Sequence, residues 1–78
     1  MGDWSPNAEI IVFQNACFMG YMELKQIDHV KASELFSQYN IFAFIMECYD
    51  YLHLSGVEYV VKEIDSRIQE GKKFEERP

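Results

Sequence analysis

The chain has 78 residues, of which 49% are hydrophobic and 15% aromatic, and its formal net charge at pH 7 is −6. This composition excludes an intrinsically disordered chain, and the length predicts a single domain over residues 1–78 with frayed ends at 1–5 and 72–78. The acidic charge argues against nucleic-acid binding, which depends on Lys and Arg contacts to phosphates, and suits a basic protein partner.

Two features of the sequence indicate a cytoplasmic protein. The apolar run that begins at Ile10 is interrupted by Gln14 and Asn15, so it is too short and too polar for a membrane span, and no basic segment precedes it as in a signal peptide. Cys17 and Cys48 form neither a disulfide framework nor a zinc pattern. We therefore predict two small core residues in a reducing compartment, with no membrane contact, no metal and no cofactor.

The first predicted helix begins at Ser5-Pro6, where Ser5 can cap free amides and Pro6 takes the first helical position. One stripe of apolar residues at helical spacing is predicted to face the core: Ile10, Phe13, Cys17, Tyr21 and Leu24. Two further stripes, Ile11 with Phe18 and Met22, and Val12 with Ala16 and Met19, make this helix apolar nearly all round. Such a helix is usually buried on several sides.

The second and third predicted helices meet at Asn40. Asp28 is a suitable cap for the second helix, whose predicted apolar face is Val30, Leu35, Phe36 and Tyr39, and Asn40 suits the left-handed position that ends it. The third helix is predicted to run unbroken through apolar residues at three-four spacing: Ile41, Phe42, Phe44, Ile45, Cys48, Tyr49 and Leu52.

The fourth predicted helix begins at a capping box, in which the Ser55 hydroxyl accepts from the Glu58 amide and the Glu58 carboxylate reaches back to Ser55. Gly71 ends it. Its predicted buried stripe is Val57, Val60, Val61, Ile64 and Ile68. The fold class predicted from these patterns is all-α, a compact bundle of about four helices.

One group of polar residues could carry chemistry. Glu47, Asp50 and His53 stand three apart, so they can line one helix face and bind a metal or hold a general base. We favour a structural interpretation, because a helix dipole stabilises His53 near a C-terminus and Asp50 can orient it. No phosphate loop or nucleophile motif is present, and the chain is not predicted to be an enzyme.

The apolar excess of the first helix leaves two interpretations open. Either the other helices wrap it on all sides, or Ile11, Phe18 and Met22 form an interface for a protein partner or a second copy of the chain. Methionines would suit an adaptable binding surface. Tyr59, opposite the buried stripe of the fourth helix, is a further candidate contact residue because Tyr is enriched at interfaces.

Two neighbouring motifs in the second half of the chain are distinctive: Tyr49-Asp50-x-Leu52-His53 and Gly56-x-Glu58-Tyr59-x-Val61-x-Glu63-Ile64. Through them the chain resembles a bacterial domain-of-unknown-function family of small helical proteins, common in gut Firmicutes. It departs from that family at Leu54, where Thr or Ser is usual, and at Glu63, where Asp is commoner. Its members are often encoded beside a family that looks like an ADP-ribosyltransferase toxin, so the resemblance implies a cognate protein partner and an antitoxin or immunity role.

The preferred functional hypothesis is a non-enzymatic protein-interaction module of antitoxin or inhibitor type, binding through the apolar surface of the first helix with acidic surroundings. One alternative is a small enzyme or ligand-binding protein centred on Asp50 and His53. Another is an acidic nucleic-acid mimic from a mobile element, which would inhibit a nucleic-acid-binding protein.

Overall fold

The computed structural model describes residues 6–75 and contains five helices within them: α1 Pro6–Lys25, α2 His29–Gln38, α3 Ile41–Glu47, α4 Tyr49–Ser55 and α5 Val57–Gln69. No strand occurs in this range. The all-helical prediction is confirmed, although the helices number five rather than about four. Residues 1–5 and 76–78, and with them the predicted Ser5 cap, lie outside the described residues.

One continuous core joins all five helices. Its fully or nearly fully buried side chains are Cys17, Tyr21, Ala32, Phe36, Ile41, Phe44, Ile45, Leu52, Val60, Val61 and Ile64. The helix α1 packs most extensively on α5 and also contacts α2 and α3. Gly20 permits the close approach to α5, because a Cβ atom there would lie 3.0 Å from Val61 Cγ2. An ion pair of 3.0 Å between Lys25 and Asp65 joins the same two helices.

Local signals place the ends of α2 as predicted. The Asp28 side chain accepts a hydrogen bond of 2.9 Å from the Lys31 amide, and Asn40 adopts the left-handed conformation with φ 56°.

The predicted apolar face of α2 is wrong at Val30, which is 55% exposed, while Ala32 is buried. Val30 stands five residues before Leu35, a spacing that separates two side chains by about 140° around a helix.

The predicted third helix is interrupted at Cys48, which separates α3 from α4. Cys48 has φ −105° and ψ 16°, outside the helical region. The Cys48 amide still bonds to Phe44 O at 3.0 Å, and the Leu52 amide to Cys48 O at 2.8 Å. Because these bonds keep the four-residue spacing across the interruption, the apolar periodicity gives no sign of it.

The predicted capping box at Ser55 is wrong. Ser55 is the last residue of α4, and Gly56 stands at the N-cap position of α5 without a side-chain cap bond. Gly56 has φ 88° and ψ 159°, a conformation essentially restricted to glycine. The helix α5 therefore begins by a backbone turn that only glycine makes easily.

The segment after α5 is anchored, in contrast to the fraying predicted from residue 72. Gly71 has φ 71°, and the Lys72 amide bonds to Arg67 O at 2.8 Å, which closes the helix in a Schellman motif. Beyond it, the Phe74 amide donates to Tyr39 O at 3.0 Å, and the Phe74 ring meets the Phe44 ring edge-on at 5.6 Å. Residues 72–75 thus form a strap across the α2–α3 turn.

Candidate docking surface

The side of α1 that points away from the core is apolar and open to solvent. Cys17 and Tyr21 mark the buried side, whereas Ile11, Val12 and Met19 are 61%, 68% and 56% exposed. We call the solvent-facing surface formed by Ala8, Ile11, Val12, Asn15, Ala16 and Met19 the outer face. None of these six side chains is charged. Surfaces of this kind on a small domain commonly mark interaction sites.

A shallow, open trough runs along one edge of the outer face, between α1 on one side and α4 and α5 on the other. Its first concavity, of about 540 Å³, lies between α1 and α4 and includes Val12, Ala16, Tyr49, His53 and Val57. The second, of about 360 Å³, lies between α1 and α5 and includes Gly20, Leu24, Val57 and Val61. Val57 lines both concavities, so together they make one trough.

A third concavity, of about 950 Å³, extends around the other half of α1 toward the start of α2. Ala16, Met19 and Met22 supply its apolar part, and Glu23 and Asp28 its acidic part. The apolar surface therefore extends from the trough across the outer face of α1.

Acidic side chains flank the trough. Glu9 lines it near the start of α1, and Glu23 and Glu58 line the second concavity, all three exposed. Lys62 is the one Lys or Arg among the residues that line either concavity. The trough thus combines apolar walls with a negative edge.

The α4 wall of the trough is held by aromatic contacts. The Tyr49 ring stacks on the His53 ring at 4.6 Å and meets the Phe13 ring edge-on at 5.6 Å. Burial raises the pKa of the Tyr49 hydroxyl, and the neighbouring Glu9 carboxylate, which shares a hydrogen bond with it, raises that pKa further. Through these contacts Tyr49 joins α4 to the start of α1.

The candidate partner residues occupy different environments. Ile11 lies on the outer face, but Phe18 is half-buried, with its ring 5.1 Å from the Phe36 ring and 5.8 Å from the Phe42 ring. Met22 is half-buried and packs against the core. Of these three candidate residues, Ile11 alone therefore lies on the outer face.

Tyr59, the fourth candidate partner residue, is 45% exposed on α5. A hydrogen bond with Tyr51 raises the pKa of the Tyr59 hydroxyl, and the nearby Glu63 contributes in the same direction. The two tyrosines pair with each other outside the trough, so Tyr59 is not part of the continuous surface around α1.

The predicted polar site does not assemble as a group of three. Glu47 ends α3 and Asp50 lies beyond the Cys48 interruption, both exposed, while the His53 ring stacks on Tyr49. His53 Nδ1 lies 2.7 Å from Tyr49 O, so this ring nitrogen is engaged in a hydrogen bond within α4. Within the described range, no three His, Cys, Asp or Glu side chains come together so that they could hold a metal ion.

Sequence reasoning named Val12, Ala16 and Met19 as a third apolar stripe, and Met19 with Met22 as suited to an adaptable binding surface, but it did not place this stripe at the exposed side of α1 and did not consider Gly20. The signal was present in the spacing, because Val12 and Met19 stand about 140° and about 160° around the helix from the buried Cys17. From the sequence alone, this spacing did not reveal that Val12 and Met19 are exposed, because the number of helices that pack around α1 was not known. The trough also depends on Val57, which the sequence assigned only to the core stripe.

The molecule is thus a small all-helical domain with an open apolar surface and an acidic edge. Residues 12–71 match the family DUF3791, described as proteins of unknown function, and the chain belongs to that family. No curated protein and no solved structure matches the chain. Among residues 6–75, no helix combines the length and the apolarity that crossing a membrane requires.

Proposed function

We propose that this protein is a non-enzymatic protein-interaction module of antitoxin or inhibitor type, which binds a protein partner through the outer face of α1. The observation that carries the proposal is the exposure of Ile11, Val12 and Met19 on the side of α1 opposite the core. Burying such side chains against a partner removes apolar surface from water, which is the main favourable term in most protein association.

The acidic charge gives further support. A formal net charge of −6 favours encounter with a basic partner. The antitoxin character is what the resemblance noted in the sequence implies. It concerns the identity of the partner and does not rest on the geometry of the surface.

Capture of a partner from an extract of the native cells tests the proposal. Three tagged proteins are compared: the wild type, Met19→Glu on the outer face, and Met46→Glu on α3 as the control. The control is matched because Met46 is 48% exposed, close to the 56% of Met19, and lines none of the three concavities. Circular dichroism verifies that all three are folded.

We expect the wild type and Met46→Glu to retain the same protein, or a second copy of the chain, and Met19→Glu to lose it. A carboxylate at position 19 would have to be desolvated in the complex, and an unpaired buried charge is costly. Equal retention by all three proteins would contradict the proposal.

A further inference from the structure

We propose that the trough beside α1 binds a single amphipathic α-helix of a partner protein, in which Lys and Arg side chains flank an apolar stripe. This inference rests on the proposed function and adds the chemistry of the element that the partner presents. Helix-in-groove recognition of this kind uses apolar anchors spaced three and four residues apart.

The shape of the trough fits a helix. From Ala8 to Leu24, α1 rises by about 24 Å, which is the length of a helix of about 16 residues. Ala16 and Gly20 keep the α1 wall low along the middle, and Val12 and Val57 supply apolar contact. The trough is open along its whole length, as a rod-like ligand requires, whereas small-molecule sites enclose most of their ligand.

The charges at the edge of the trough determine which side chains should flank the apolar stripe of the bound helix. Glu9 lies near one end of the trough and Glu23 near the other, and Glu58 lines the second concavity together with Lys62, so the carboxylates outnumber the single lysine. Lys or Arg side chains beside the apolar stripe would reach these carboxylates with their flexible stems. Complementary charge of this kind fixes the orientation of a bound helix and excludes acidic competitors.

The same charges disfavour a second copy of this chain as the occupant. The helix α1 carries Glu9 and Glu23 beside its outer face, and its basic residue Lys25 is paired with Asp65 at 3.0 Å. Two copies would bring carboxylate against carboxylate, with a net charge of −6 on each. A basic helix of a different protein can bury its apolar stripe in the trough and pair its Lys and Arg side chains with the acidic edge.

The binding test uses a fluorescent peptide of about 16 residues, with Leu at helical three-four spacing and Lys at the remaining positions. One control peptide has the same composition in an order that scatters the leucines around the helix. A second keeps the order but replaces every Lys by Glu. Fluorescence anisotropy gives the Kd of each peptide for the full chain at about 50 mM and about 300 mM salt.

Two triple variants of the protein locate the binding site. Glu9→Gln, Glu23→Gln and Glu58→Gln together remove the acidic edge of the trough. The matched control changes the net charge equally at exposed residues that do not line the trough: Glu34→Gln, Asp50→Asn and Glu75→Gln.

We expect the basic amphipathic peptide to bind at least about tenfold more tightly than either control peptide, and its affinity to fall as salt rises. The edge variant should weaken binding about tenfold, and the control variant less than about threefold. Equal weakening by both variants, or equal binding of the scrambled peptide, would show only non-specific charge attraction and would overturn the inference.

The outcomes also separate this inference from the proposed function. If the peptide does not bind while Met19→Glu still abolishes partner capture, the protein is an interaction module whose partner is not a basic helix. If sedimentation velocity shows the wild type dimerising through residues that the edge variant changes, the occupant is a second copy and the inference is wrong. If capture does not depend on Met19, the proposed function itself fails.

Discussion

At the scale of single residues, Gly56 makes the turn between α4 and α5 possible. Its φ of 88° and ψ of 159° lie where side chains are strained, although nothing stands within 4 Å of the position that a Cβ would take. Gly56→Ala should therefore lower the free energy of unfolding by about 1–3 kcal/mol through backbone strain alone. Urea denaturation followed by circular dichroism measures this loss.

The neighbouring Ser55→Ala substitution is the control for that experiment. The structure gives α5 no side-chain cap bond, so removal of the Ser55 hydroxyl should change the free energy of unfolding by less than about 0.5 kcal/mol. A loss of about 1 kcal/mol in Ser55→Ala would instead indicate that the capping box forms in solution.

Burial of Cys17 should make the stability of the fold decrease at alkaline pH. Burial raises the pKa of its thiol from the ordinary 9.0 to about 11. Because the folded-state pKa lies above the unfolded value, the stability contributed by the neutral thiol is fully present below pH 9 and is lost as pH rises from about 9 to about 11. The expected loss between pH 7 and pH 10 is about 1 kcal/mol.

Urea denaturation at both pH values, with Cys17→Ala as the reference protein, isolates this effect. Tyrosine ionisation is common to the two proteins, so the difference in their free energies of unfolding should shrink at pH 10. An unchanged difference would mean that Cys17 is not buried as a neutral thiol.

At the scale of elements, the strap of residues 72–75 contributes to stability. Phe74 packs on the Phe44 ring, and the Arg67 guanidinium stands 4.5 Å from the centre of the Phe44 ring and 5.8 Å from that of Phe74. Phe74→Ala should lower the free energy of unfolding by about 1–3 kcal/mol, less than for a fully buried Phe because the ring is half-buried.

Lys73→Ala, at an exposed neighbouring position, is the control for the strap and should be nearly neutral. Thermal melting followed by circular dichroism compares the two variants with the wild type. Equal melting temperatures for Phe74→Ala and Lys73→Ala would show that the strap does not hold in solution.

Element boundaries were predictable where a local interaction sets them. Asp28 caps α2 through the Lys31 amide, and Asn40 and Gly71 take left-handed conformations, which Asn tolerates and Gly adopts freely because it lacks a Cβ. The interruption at Cys48 could not be predicted, because the apolar spacing continues through it and the contacts that hold α4, such as that between Phe13 and Tyr49, are distant in sequence. Tertiary packing, which the sequence pattern does not contain, decides such cases.

At the scale of the whole molecule, the arrangement around α1 explains why the candidate surface was only partly predictable. Gly20 faces α5, the Gln14 side chain donates to Phe42 O at 2.8 Å, and Phe18 contacts Phe36, so neighbours cover α1 on the core side only. The sequence shows that α1 is apolar nearly all round. It does not show which stripe stays uncovered, because that depends on where the later helices pack.

The extensive pairing of α1 with α5 also has a consequence for the order of folding during synthesis. The helix α5, on which α1 packs most extensively, is the last of the five to leave the ribosome, so α1 emerges long before its main partner exists. Until then both its core side and its outer face are open to water and to other nascent chains. Such long-range pairing slows folding and prolongs exposure to aggregation, which makes early protection by a chaperone advantageous.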